Sequence, residues 1–95
     1  MRLFNRFKKP EMNEITKKSN EQMNAILKHL ESKHIGQWTK ESDIENHFKE
    51  TIPGFIVTTG LQRMFNEEIL DYSRNMCEYK LSTNGRAFLT NGGYK

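Results

Sequence analysis

Apolar residues recur at helical spacing in three stretches of the chain. The first stretch has one apolar face at positions i, i+3, i+4 and i+7, formed by Met23, Ile26, Leu27 and Leu30. Ahead of it, Ser19-x-x-Gln22 has the spacing of a capping box. We predict a helix near residues 19–35, with Gly36 in the left-handed position that closes many helices. Residues 11–18 either extend this helix backward or are separated from it by a break at Lys17–Asn20.

The second stretch predicts a shorter helix near residues 42–50. Ser42-x-x-Glu45 is another capping box, and Ile44 and Phe48 follow at i, i+4 spacing. Pro53-Gly54 is a turn signal that ends this element.

The third stretch predicts a helix near residues 57–67. Its apolar face comprises Val57, Leu61, Met64 and Phe65. Thr58 or Thr59 is expected to cap its start. The opposite face is polar and carries Thr59, Gln62, Arg63 and Asn66.

After Asn66 the apolar period changes from 3.6 to 2, which indicates strands. Leu70 and Tyr72 alternate with polar residues on one side of Arg74-Asn75-Met76, and Cys77, Tyr79 and Leu81 do so on the other. This spacing predicts an antiparallel hairpin near residues 69–81, with Cys77 as a buried, inert thiol on its apolar face. Between the first and second predicted helices, Gln37-Trp38-Thr39 is a short extended piece, and Trp38 is expected beside the hairpin as a core or half-buried aromatic.

The last element predicted is a short helical turn. Ser82 or Thr83 can cap it, and Asn91-Gly92-Gly93 closes it.

All the elements are expected to share one core, formed by Leu27, Leu30, Ile44, Phe48, Leu61, Phe65, Tyr79 and Leu81. The fold class predicted is α+β, with three helices, a two-stranded hairpin and this C-terminal turn.

This order of elements is that of the winged helix-turn-helix, in which the hairpin is the wing. The run from Tyr79 to Leu89 resembles the Tyr-x-Leu-Thr-x-x-Gly motif that closes the wing in many bacterial winged-helix regulators, with Ser82 in place of the threonine. Its continuation through Gly92-Gly93-Tyr94 is similar to small winged-helix proteins of the Bacteroidetes. The resemblance covers roughly residues 20–94 and implies a winged-helix domain. In some relatives a hydrophobic segment follows this point, which leaves a membrane-linked role open for the group.

Length and composition limit the possible classes. A chain of 95 residues with ten aromatic residues fits one folded domain, expected at residues 19–95 after a basic arm at residues 1–18 that is flexible or partly helical. One cysteine excludes an internal disulfide and fits a reducing cytoplasm. No apolar run approaches the length of a membrane span. The arm holds six basic and two acidic residues, or +4, whereas residues 19–95 hold nine basic and ten acidic residues, or −1.

The residues predicted to bind double-stranded DNA lie on the third helix and the wing. If the resemblance extends to function, the polar face of the third helix reads base edges and the wing contacts phosphate. The candidates are Thr59, Gln62, Arg63, Asn66, Arg74 and Lys80, with Arg86 nearby in sequence. The alternative is an ordinary solvated face. The acidic residues Glu67, Glu68 and Asp71 follow this helix and would repel phosphate.

The sequence has no arrangement of residues typical of a metal site, a phosphate-binding loop or a catalytic site. The three histidines His29, His34 and His47 and the lone cysteine lack the spacing of a metal site, and no glycine-rich phosphate loop opens a helix. We expect no metal, no cofactor, no small-molecule substrate and no catalysis. The predicted function is DNA binding as a transcriptional regulator or accessory factor. The alternative is a winged helix that contacts proteins, as a homodimer, near a membrane or in a larger assembly. The arm either contacts DNA, adsorbs to an anionic surface or is a disordered terminus.

Overall fold

A computed structural model describes the backbone of residues 2–95 and the side chains of residues 17–95. The predicted contacts of residues 1–10 therefore lie outside the described side chains. The described residues form an α+β fold of four helices and one three-stranded antiparallel sheet. In chain order the elements are α1 (Arg2–Glu31), β1 (Thr39–Lys40), α2 (Glu41–Phe48), α3 (Gly54–Asn66), β2 (Leu70–Ser73), β3 (Glu78–Leu81) and α4 (Thr83–Thr90). The predicted class α+β is confirmed. The predicted counts were too low by one helix, α4, and one strand, β1.

The sheet has the order β1-β3-β2, with β3 in the centre. The predicted hairpin is present as β2 and β3, with Leu70 opposite Leu81 and Tyr72 opposite Tyr79. On the other side of β3, Thr39 pairs with Tyr79. A strand of two residues, such as β1, is too short to show periodicity. The pattern at Gln37-Trp38-Thr39 therefore indicated extended backbone but not its pairing with β3.

The starts of α1, α2 and α3 differ from the capping predictions. Helix α1 runs without a break through Lys17–Asn20, so Ser19 does not begin a helix. It ends at Glu31, and Gly36, at φ +81°, lies in the loop beyond. Helix α2 begins at Glu41 with Lys40 at its N-cap, which places Ser42 inside the first turn.

Helix α3 begins at Gly54, three residues earlier than the apolar pattern indicated. Pro53 is its N-cap, and the carbonyl of Pro53 accepts hydrogen bonds from the backbone N–H groups of Ile56 and Val57. Proline at this position loses no helical hydrogen bond, because the first N–H groups of a helix have no partner within it. The prediction that Thr58 or Thr59 caps α3 was therefore wrong. The Thr58 hydroxyl donates instead to Glu45 of α2.

The core lies between α1, the other helices and the inner face of the sheet. Seven of the eight predicted core residues are buried, namely Leu27, Leu30, Ile44, Phe48, Leu61, Tyr79 and Leu81. The eighth, Phe65, is 37% exposed, so its assignment to the core was wrong. Its ring lies 5.8 Å from that of Tyr72 on β2, the edge strand beyond which the described residues form no further strand.

Cys77 is the other misplaced residue. It is exposed and belongs to the turn between β2 and β3, because β3 begins only at Glu78. Its φ of +52° is left-handed, which tight hairpin turns require and a strand does not. The predicted buried thiol on the apolar face is therefore wrong. Trp38 lies beside the hairpin, as predicted, but it is 36% exposed, so its prediction as a core or half-buried aromatic was wrong.

The predicted cap of the last helix is confirmed. The Ser82 hydroxyl accepts the backbone N–H of Gly85 at 2.9 Å and donates to the Ile69 carbonyl at 2.8 Å, so it joins α4 to the residue before β2. Gly92 and Gly93, at φ +107° and +67°, close α4 with N–H groups bonded to the carbonyls of Leu89 and Phe88. This pair of bonds is the Schellman motif. It turns the chain back toward α1.

Candidate interaction surface

The predicted DNA-reading face of α3 is exposed. Thr59, Gln62, Arg63 and Asn66 all lie at the surface. Three of them make hydrogen bonds within the helix: the Thr59 hydroxyl donates to the Phe55 carbonyl, and the Gln62 amide donates to Asn66 at 3.4 Å. These neutral side chains leave Arg63 as the only charge of the predicted set on α3.

Arg63, in the last turn of α3, contacts two other side chains. Its Nε donates to the Glu67 carboxylate at 3.2 Å, and its guanidinium lies 5.0 Å from the centre of the Tyr94 ring. The Tyr94 hydroxyl donates to the same carboxylate at 2.5 Å. The hydrogen bond from Tyr94, followed by that from Arg63, holds the pKa of Glu67 below its ordinary value. Burial and this bond raise the pKa of Tyr94. Arg63 thus has an anionic partner and an aromatic partner already in place.

The segment that brings Tyr94 to Arg63 is held by α1. We name residues 93–95 the C-terminal clasp. The Asn24 side chain accepts the backbone N–H of Tyr94 and donates to its carbonyl, both at 2.8 Å. Asn20 donates to the Lys95 carbonyl at 2.8 Å. The Tyr94 ring also packs edge to face on Phe88, with centroids 4.9 Å apart. The clasp therefore ties α1, α3 and α4 together around Arg63. Sequence reasoning missed it, although Gly92-Gly93-Tyr94 was noted as a motif.

The predicted wing cations are placed differently from one another. Arg74 is exposed in the turn between β2 and β3. Lys80 is half-buried, and its Nζ lies 4.7 Å from the centre of the Trp38 ring, on the β1 side of the sheet. Arg86 is partly buried on α4. The structure therefore does not gather these cations with Arg63 in one contact cluster.

Charge over the region that would face DNA is negative. Residues 41–81, which span α2, α3 and the hairpin, hold eight acidic and four basic residues, or −4. Positive charge belongs to the remainder of the chain, with eleven basic and four acidic residues. Phosphate binding requires the opposite distribution, because Lys and Arg supply most of the affinity.

Beside β2 the surface forms an open groove of about 480 Å³. We name it the β2 groove. Phe65 forms its apolar wall, Glu68 and Asp71 are its exposed carboxylates, and Thr83 and Asn84 of α4 border it. Glu68 occupies a left-handed conformation at φ +64°, in the position after α3 where glycine is usual. Neither the exposure of Phe65 nor the proximity of α4 to α3 could be inferred from sequence spacing.

His29 of α1 and His47 of α2 form a stacked pair, with ring centroids 3.8 Å apart and planes inclined by 17°. The pKa of His29 is lowered mainly by burial. Positive charge on the neighbouring His47 and Lys33 lowers it further. Stacked rings do not direct two nitrogens at one ion. Among the residues with described side chains, no three His, Cys, Asp or Glu residues are placed to hold a metal ion.

Within the described part of the chain, every helix is too short or too polar to cross a membrane. No protein-family model matches the chain, and no curated protein or solved structure is significantly similar to it.

Proposed function

We propose that the chain is a winged-helix domain whose function is to bind another protein. The order α1-β1-α2-α3-β2-β3, with β3 between β1 and β2, supports the winged helix. In this interpretation α2 and α3 form the helix-turn-helix, and the turn at Arg74–Cys77 is the tip of the wing.

A single observation favours protein over DNA as the partner. The helix-turn-helix and wing together carry −4, and the one cation on α3 is paired with Glu67 and stacked on Tyr94. Docking this region on DNA would bring a net negative charge toward the phosphates and would require Arg63 to leave both partners. Protein interfaces, in contrast, are enriched in exposed aromatic residues of the kind found here at Phe65 and Phe55, which are 37% and 73% exposed.

DNA binding remains the second candidate because of residues 1–18, which carry +4. A basic segment of this kind supplies affinity for any duplex through counterion release and carries no sequence information. Binding through this segment would be independent of α3.

Site-directed photo-cross-linking in the host cell tests the proposal. A benzoylphenylalanine in place of Phe65 or Phe55 changes one aromatic ring for another at an exposed position. The matched control carries the same residue in place of the exposed Thr90 on α4. We expect one defined protein adduct from Phe65 or Phe55 that excess unlabelled chain suppresses and that Thr90 does not form. Adducts to DNA, or identical adducts from all three positions, would reject a protein-binding face.

A further inference from the structure

The free edge of strand β2 has backbone groups available for pairing. The Ser82 N–H donates to the Ile69 carbonyl at 3.1 Å, so Ile69 and Ser82 are a hydrogen-bonded pair of the β2–β3 ladder. The next pair, Leu70 and Leu81, is then a non-hydrogen-bonded pair. In an antiparallel ladder this pattern alternates. Leu70 and Tyr72 therefore direct their N–H and C=O groups away from β3. Among the described residues, no other strand pairs with this edge.

The β2 groove lies at the end of this strand where Leu70 and Asp71 begin it. An incoming extended segment would place alternate side chains on the two faces of the sheet. On the inner side it would meet Phe65 and the half-buried Tyr72, whose rings are 5.8 Å apart. On the outer side it would meet Asp71. Apolar residues suit the first side and basic residues the second.

Asp71 is available to a basic partner. Its cross-strand neighbour is Lys80, but the Lys80 amine lies over Trp38 on the opposite side of β3. Within the described side chains, the one ion pair that forms is Arg63 with Glu67. Glu68 adds a second exposed carboxylate to the groove, and its left-handed backbone holds it there at a conformational cost that glycine would avoid.

We infer that the β2 edge binds an extended peptide segment in which basic and apolar residues alternate, adding it to the sheet as a fourth strand. Backbone hydrogen bonds to Leu70 and Tyr72 provide affinity, and the carboxylates with the Phe65 ring select the side chains. The inference rests on the proposed function and names the class of partner.

The test uses the full chain and a fluorescein-labelled octapeptide that alternates valine with lysine or arginine. Three further peptides are compared: one with glutamate at every basic position, and two that carry N-methyl groups on alternate backbone amides, in the two possible phases. We expect the glutamate peptide to bind at least about tenfold more weakly, because close like charges repel. One N-methylated phase should lose binding and the other should retain it, since only alternate amides pair with a strand edge.

Two matched pairs of variants locate the site. Tyr72→Pro and Tyr72→Ala both remove the ring, but only proline removes an outward N–H, at an edge position where proline is tolerated. Proline should weaken peptide binding about fivefold relative to alanine, the value of one net hydrogen bond. Asp71→Lys should weaken it about tenfold, whereas the same charge change at the exposed Asp43 on α2 should not.

Hydrogen exchange on the unmodified chain gives a measurement that does not depend on any variant. Bound peptide should slow exchange at the amides of Leu70 and Tyr72. Equal binding of both N-methylated peptides, equal effects of the two Tyr72 variants, or unchanged exchange at these amides would overturn strand addition. That outcome would leave the proposed function standing if cross-links still form from Phe65 or Phe55. A sequence-specific duplex read by Arg63 would instead reject the proposed function, while the peptide and exchange measurements would still decide strand addition.

Discussion

Gly85 is the position where the fold is most sensitive to one added methyl group. An alanine Cβ there would overlap the Ile69 carbonyl oxygen and lie 2.9 Å from Leu81 Cδ1 and 3.0 Å from the Ile69 carbonyl carbon. These atoms belong to the backbone before β2 and to buried β3, so α4 itself would have to move. Such movement also separates the Gly85 N–H from the Ser82 hydroxyl.

The expected loss follows from three contributions. Forced overpacking costs roughly 1–3 kcal/mol, here near the upper limit because backbone opposes the methyl group. Loss of the cap adds about 1 kcal/mol. The higher helix propensity of alanine offsets about 1 kcal/mol of this destabilisation. The free energy of unfolding should fall by about 3 kcal/mol, a large part of what a small domain has. The melting temperature should fall by roughly 12–24 °C.

Gly60→Ala is the matched control. Its Cβ would lie 2.5 Å from Cε and Sδ of Met23, the movable end of a flexible side chain, and it gains the same helix propensity. We expect its stability to remain within about 1 kcal/mol of the unchanged chain. Urea denaturation followed by circular dichroism measures both variants. If Gly85→Ala were as stable as Gly60→Ala, the close contact between α4 and Ile69 would be absent.

Three further predictions concern single side chains. Glu68→Gly should raise the free energy of unfolding by about 1 kcal/mol, because the left-handed φ of +64° is unstrained for glycine; a lower urea midpoint would contradict this. The lowered pKa of His29 means that the unfolded chain binds more protons than the folded one below about 6.5, so stability should fall as pH decreases through this range. His29→Phe should reduce that pH dependence, and an unchanged slope would assign it to other groups. Tyr94→Phe should raise the pKa of Glu67 toward its ordinary value, since the lost hydroxyl is the main cause of its lowering. A carboxylate titration by NMR that does not move would show that the Tyr94–Glu67 bond does not form in solution.

The local motifs of the hairpin and of the last helix were reliable guides to the fold, whereas the two capping boxes at Ser19 and Ser42 did not mark helix starts. Ser82 was identified as a cap because its partner, Gly85, is three residues away. The predicted hairpin is present for the same reason, since its strands are neighbours in the chain. Phe65 was misassigned because helical periodicity identifies an apolar face but not where the covering layer ends.

The candidate surface depends on contacts between distant segments. The face of α3 was predicted to be exposed, and it is. Of the two partners of Arg63, only Glu67 could be inferred from the sequence, because it is one helical turn away. Tyr94 reaches Arg63 through the C-terminal clasp, which is held by Asn24, 70 residues before Tyr94 in the chain. Sequence spacing contains no information about such a contact.

Duplex binding after selection tests the proposed function most directly. The full chain is used to select from a random duplex pool, and fluorescence anisotropy then compares selected and random duplexes for three proteins: the full chain, a chain without residues 1–10, and Arg63→Ala. We predict no preferred sequence and weak binding at low salt that depends on residues 1–10, falls steeply with salt and is unaffected by Arg63→Ala. The contrary result is an enriched sequence whose affinity drops by about 1–3 kcal/mol in Arg63→Ala while random duplex binds as before. That result would show that α3 reads DNA and would reject the proposed function.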